Sequence, residues 1–249
     1  MPYALDSVAE LDAAVAAANE SCGEERVRGE RADAADHDAM AAAVSRAEEW
    51  GGLEAVVANA GVIAGGAHAW EVPLEQEEAV VEACLRGVMV AARVGIPALL
   101  RRPQPRADRF VATASAAGLR GLPGLAAYCA AKAGVSGFVR ALGADLRGTG
   151  VTTVAVAPGS TETAILTESA RLYALEGAAD FAAQQPIERL IEPSEVAATI
   201  AWLCGPGRGA MGSYPSGRRR PIDLKTRGPS RFRGRSLPAF PCRMGRNTQ

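Results

Sequence analysis

Leu53-Glu54-Ala55-Val56-Val57-Ala58 runs directly into Asn59-Ala60-Gly61, and this stretch decides the fold. Its apolar residues do not alternate with polar ones. Such a strand is expected to be covered on both faces, as in a parallel sheet packed between helices. Two more stretches read the same way: 109–115 (RFVATAS) and 151–157 (VTTVAVA), the second closed by Pro158-Gly159. A shorter candidate strand, 26–32, ends at Asp33. Helical patterns fill the intervals: 38–50, stopped by Gly51-Gly52, then 73–102, 128–146, a lid-like stretch at 162–176, and 193–204. An Ala-rich opening helix to about Asn19 is announced by Ser7-Val8-Ala9-Glu10, which reads as a capping box. Strands alternating with helices give an α/β fold with a doubly wound parallel sheet, and ligands bind such sheets at the C-terminal ends of the strands.

The chain has 249 residues, 48% of them hydrophobic, and a formal charge of −1. That excludes a wholly disordered chain and a strongly basic nucleic-acid binder as a description of the whole. The near-zero charge hides an asymmetry. Residues 1–207 carry 16 Lys/Arg against 27 Asp/Glu, whereas 208–249 carry 11 Lys/Arg against the single acid Asp223. Residues 1–207 therefore read as one domain. Residues 208–249, rich in Arg, Pro and Gly and without periodicity, read as a basic, disordered or out-of-frame tail. Nothing in that tail specifies a nucleic-acid site. The five cysteines are odd in number and form no CxxC pair, which suits a reducing compartment and no disulfide framework. Glu75, Glu77, Glu78 and Glu82 read as a solvated helix face, His37 and His68 as surface residues, and the tryptophans as packing residues; no metal site is expected. With no uninterrupted apolar run of about 18 residues and no signal-like start, a cytoplasmic protein away from membranes is expected.

Lys132 is the only lysine before Lys225, in a body whose other basic residues are all Arg. It lies four residues after Tyr128, so on a helix both side chains share one face. The plain alternative is a solvated Tyr and Lys. An ammonium beside a phenol favours the phenolate. At about 4 Å and an effective dielectric of about 20 the attraction is roughly 4 kcal/mol before desolvation, enough to lower a phenol pKa of about 10 towards the range of general acid/base catalysis. Ser115 closes one strand thirteen residues before Tyr128. Asn59-Ala60-Gly61 and Pro158-Gly159 close two others, so three strand ends are expected at one crevice.

Together these pieces resemble the short-chain dehydrogenase/reductase family: Asn59-Ala60-Gly61, Ser115, Tyr128-Cys129-Ala130-Ala131-Lys132 and Pro158-Gly159-Ser160-Thr161-Glu162-Thr163, in order and at family spacing, with Asp33 at the family's adenine-side acidic position. The resemblance covers about residues 2–207. It implies a Rossmann-type sheet and an oxidoreductase that interconverts an alcohol and a carbonyl by hydride transfer, with NAD, or alternatively NADP, as cofactor. Tyr128 would be the general acid/base, Lys132 would lower its pKa and hold the nicotinamide ribose, and Ser115 would bond the substrate oxygen. Asp33, Asn59, Ala60 and Gly61 would line the adenosine side, and Pro158, Gly159, Thr161 and Thr163 the nicotinamide. The stretches PYALDSVAELDAAV, ANAGVIAGGAHAWEVP, PALLRRPQPR and RGLPGLAAYCAAKAGV resemble the mycofactocin-coupled branch, which implies a peptide-derived redox carrier as electron partner. A homo-oligomer is a further implication.

Three departures from the family pattern stand out. Its opening strand–helix unit with the glycine-rich turn is missing, and its last strand is replaced by GSYPSGRRRPIDLKTRGPSRFRGR. An incomplete sheet is therefore expected, as from a late start and a frame change, and an inactive remnant or a basic-tailed binding protein is the alternative to an enzyme. Cys84 stands where the family's catalytic Asn is expected, and reads as a buried, inert thiol.

Overall fold

The structure is a computed structural model that describes residues 8–205. The capping box at Ser7 and the tail at 208–249 lie outside the described residues. Helix α1 (Val8–Cys22) runs three residues past its expected end. Helix α2 (His37–Trp50) starts where the Asp36 carboxylate accepts from the amides of Asp38 and Ala39, an N-cap that satisfies two orphan donors. It stops at Gly51, and Gly52, at φ 91°, takes a conformation that favours glycine.

Strand β1 (Ala55–Ala58) then leads through a loop to α3 (Leu74–Val81), a single π-helical turn (Glu82–Arg86) and α4 (Gly87–Arg101). This helical run is long and apolar enough to cross a membrane by length and composition. Here 56% of its most apolar 18-residue window is buried inside the fold, which makes it a core helix. Strand β2 (Arg109–Thr113) follows, then the short α5 (Ala117–Arg120) and the long α6 (Ala126–Asp145), which carries Tyr128 and Lys132. Strand β3 (Thr152–Val156), α7 (Ala164–Leu172), a 3-10 turn (Ala178–Gln184) and α8 (Pro193–Cys204) complete the described chain.

The sheet is parallel, in the order β1-β2-β3, with Val56 opposite Phe110 and Phe110 opposite Thr153. On one face Phe110 and Ala112 meet Val88, Ala92, Ile96 and Leu99 of α4 and Val135 and Val139 of α6. Successive strand residues point to opposite sides, so Arg109 and Val111 face the other way, where α8 packs on β2. Helices therefore lie on both faces, as expected for the Rossmann-type class.

Two expectations need correction. The strand at 26–32 does not form. Its start is held instead by one side chain: the Asn19 carboxamide oxygen accepts from the amides of Arg26 and Val27, and its NH2 donates to the Val27 carbonyl at 2.9 Å. Among the described residues no neighbouring strand offers this segment a ladder, and satisfied backbone groups do not need one. Nor are all three strands buried on both faces. Only the central strand β2 is; in β1, Val57 is 44% exposed, because an edge strand meets a helix on one side only. The tryptophans pack at the surface, Trp50 beneath the Arg28 guanidinium. None is buried, and Trp70 is 81% exposed and stacked on His68.

Candidate active site

The C-terminal ends of the three strands open into one cleft of about 1160 Å³. Asn59 and Gly61 come from the end of β1, Thr113 and Ser115 from β2, and Pro158, Gly159, Thr161 and Thr163 from the segment after β3. Tyr128 and Lys132 reach it from α6, one helical turn apart. The groups that the sequence assigned to chemistry therefore meet. The Lys132 ammonium lies 5.8 Å from the centre of the Tyr128 ring and donates to the Thr113 carbonyl at 2.8 Å. Both side chains are buried. Ser115 hydrogen-bonds the Tyr128 phenol, and its hydroxyl accepts from the Ala117 amide at 3.1 Å, which fixes it at the start of α5.

The electrostatics differ from the sequence expectation. Burial pushes the Tyr128 phenol up to about 12, and the neighbouring Cys84 thiol pushes the same way, against the pull of the Ser115 hydrogen bond. Lys132 does not bring the phenol down towards neutrality. Its own ammonium is pulled below the usual lysine range by burial. Both groups lie inside the protein, where desolvation penalises each charged form, and the ammonium is engaged by the Thr113 carbonyl.

Cys84 sits in the π-helical turn and is fully buried. Its sulfur accepts from the Val62 amide and donates to the Val62 carbonyl at 3.2 Å. Burial pushes this thiol up, which keeps it protonated and able to donate. The turn after β1 is thereby tied to the helical layer beside Lys132. A Cβ at Gly61 would stand 3.3 Å from the Cys84 sulfur and 3.4 Å from the Lys132 nitrogen, so this turn passes close to both.

The remaining assigned residues divide. Thr163 caps α7 by accepting from the Leu166 amide, and Thr161 bonds the Gly159 carbonyl. A Cβ at Gly159 would fall 2.5 Å from the Gln185 carboxamide oxygen, so the Gln185 side chain would have to move. Ala60 is exposed and does not line the cleft, although Asn59 and Gly61 on either side of it do. Asp33 is likewise outside the lining. It is exposed, and its carboxylate accepts from the Ala35 amide of its own turn.

The far wall was only partly foreseen. The excursion after β3 is closed at its base, where the Ile191 amide donates to Ser160 and the Glu162 amide to Ile191, both at 2.9 Å. Within it Leu166, Tyr173, Leu175 and Phe181 line the cleft. The α8 residues Val196, Ala197 and Ile200, and Arg120 of α5, also line it and were missed. Their signal was topological: a helix following the last strand must return across the sheet, and the segment joining Ser115 to Tyr128 must stay beside both. Among the described residues no cluster of His, Cys, Asp or Glu is arranged to hold a metal.

A family model described as enoyl-(acyl carrier protein) reductase matches residues 4–213. A cis-4-hydroxycyclohexanecarboxylate dehydrogenase of Sinomonas cyclohexanicum is 37% identical over 174 residues, covering 70% of this chain and 67% of that protein. An NAD-dependent 2-dehydro-3-deoxy-L-rhamnonate dehydrogenase of a Sphingomonas species is 36% identical, covering 54% of this chain and 53% of that protein. The chain thus spans about half to two thirds of the length of these curated relatives. Among solved structures, a variant actinorhodin polyketide ketoreductase with NADPH superposes at a TM-score of 0.75 and 33% identity, covering 82% of this chain and 80% of that one. A short chain dehydrogenase of Burkholderia cenocepacia in complex with NADP gives 0.71 and 30%, covering 83% and 80%.

Proposed function

Because the chain belongs to the short-chain dehydrogenase/reductase family, we propose that residues 1–207 interconvert a secondary alcohol and a carbonyl by hydride transfer, with NAD, or alternatively NADP, as cofactor. One observation carries this reading: Ser115, Tyr128 and Lys132 converge in a cleft at the C-terminal ends of parallel strands. Tyr128 holds the transferable proton at its phenol oxygen, and Ser115, bonded to that phenol, orients the substrate oxygen beside it. The Lys132 ammonium supplies a fixed positive charge on the same wall.

The cleft suits the nicotinamide end of a dinucleotide. Gly61 and Gly159 both line the cleft, where the absence of a side chain lets backbone lie close to an occupant. Lys132, Pro158, Gly159, Thr161 and Thr163 would hold that end, and Asn59 and Gly61 the portion towards the adenosine. When bound, the nicotinamide supplies the hydride donor or acceptor. The proposed electron partner is a mycofactocin-type redox carrier, and the proposed setting is the cytoplasm.

The test is direct. The purified chain is mixed with NAD and a panel of secondary alcohols, and NADH is followed by fluorescence. Tyr128→Phe should keep cofactor binding within a few-fold and lower turnover by about 10²–10⁴, the range for removing a general acid/base. Near-normal turnover in Tyr128→Phe, or no cofactor binding by the unaltered chain, would overturn the proposal.

A further inference from the structure

Among the described residues that line the cleft, two carry a positive charge, Lys132 and Arg120, and none carries a negative one. Lys132 is buried and spends a hydrogen bond on the Thr113 carbonyl. Arg120 is different. It ends α5, five residues after Ser115 and eight before Tyr128, and its side chain is exposed at the cleft. Arg101, Arg102, Arg171 and Arg189 each pair with an acid, whereas the Arg120 guanidinium has no partner among the described residues. This cation stands in a domain with 27 acids against 16 basic residues. A positive spot inside an otherwise acidic surface concentrates anions at that spot. The same cleft carries an apolar wall that includes Leu122, Pro123, Leu175 and Phe181.

We propose that Arg120 is a specificity-determining residue that receives a substrate carboxylate, so that the substrates are hydroxy acids and their oxo counterparts. The inference rests on the alcohol–carbonyl reading above and names its substrate class. The reacting carbinol or carbonyl lies against Tyr128 and Ser115, the hydrocarbon body against the apolar wall, and the carboxylate on the planar guanidinium fork, which matches carboxylate geometry in a way that a lysine does not.

The experiment reads binding, so it needs no turnover. A series of (ω−1)-hydroxyalkanoates of four to ten carbons, and the matching amides, are titrated into the full chain by calorimetry. The acid should bind about tenfold tighter than its amide at one or more chain lengths, the effect of one partly exposed charge-assisted hydrogen bond. That margin should shrink as salt is raised from about 0.05 to 0.5 M. Arg120→Gln should erase it, Arg120→Lys should keep part of it, and NAD binding should be unchanged in both. Equal binding of acid and amide at every length overturns the proposal. So does a loss of NAD affinity in Arg120→Gln that matches the loss of acid affinity, which would assign the guanidinium to a cofactor phosphate. An acid preference without NADH formation counts against the oxidoreductase reading and leaves Arg120 standing.

Discussion

Tyr128 is a phenol held as an acid. With its pKa pushed up to about 12 by burial, only about one molecule in 10⁴ carries the phenolate at pH 8. In the proposed reaction the protonated form would give a proton to a carbonyl oxygen, which favours reduction at neutral pH. Alcohol oxidation needs the rare ionised form. Its rate is expected to rise about tenfold per pH unit between pH 7 and 10, while carbonyl reduction stays level over the same range. Initial rates in both directions, measured with fixed saturating cofactor, check this. Parallel profiles would show that another group governs the proton. The spacing of Tyr128 and Lys132 was legible in the sequence because four residues make about one helical turn. The direction of the pKa shift was not, since it depends on how much water the folded chain removes from each group.

At the scale of elements, the site is held by close backbone approaches. The short helix α5 crosses α6 at Gly118, where an added Cβ would lie 2.6 Å from the Ala133 amide nitrogen and 2.7 Å from the Lys132 carbonyl carbon. Both are backbone atoms and cannot rotate away. Gly118→Ala should therefore shift α6 where it carries Lys132 and cost about 1–3 kcal/mol, the usual range for overpacking. Urea unfolding measures the loss, and unchanged stability would mean that the two helices can separate without strain. The π-helical turn around Cys84 had no signature in its sequence, because Glu82–Arg86 reads as ordinary helix. The extra residue in the turn is visible only once α3 and α4 are placed. The failed strand at 26–32 has the same origin. A strand needs a neighbour to pair with, and here Asn19 satisfies the backbone of Arg26 and Val27 first.

For the whole molecule, the buried phenol makes stability depend on pH. A folded pKa above the unfolded value of about 10 means that the folded state keeps its proton longer. The Tyr128 contribution is therefore full below about pH 10 and is lost as pH rises towards about 12. Lys132, with its pKa lowered on folding, works in the opposite direction over part of that range, so a comparison with Tyr128→Phe isolates the phenol. The stability difference between the two proteins should fall by about 2–3 kcal/mol between pH 9 and 12, read by urea unfolding at each pH. A difference that does not change with pH would show the phenol to be solvated. Local patterns and end signals in the chain by themselves determined the helices and the three parallel strands, since short unbroken apolar runs, the 3.6-residue repeat and the glycine stops act locally. They also brought Ser115, Tyr128 and Lys132 to one crevice, because strand ends and a helical turn leave those positions little choice. Only the tertiary structure decided that Asp33 and Ala60 stay out of the cleft, that Arg120 and α8 enter it, and that burial raises the Tyr128 pKa instead of lowering it. Each of these depends on which surfaces exclude water from which groups, and that is a property of packed neighbours far apart in the chain.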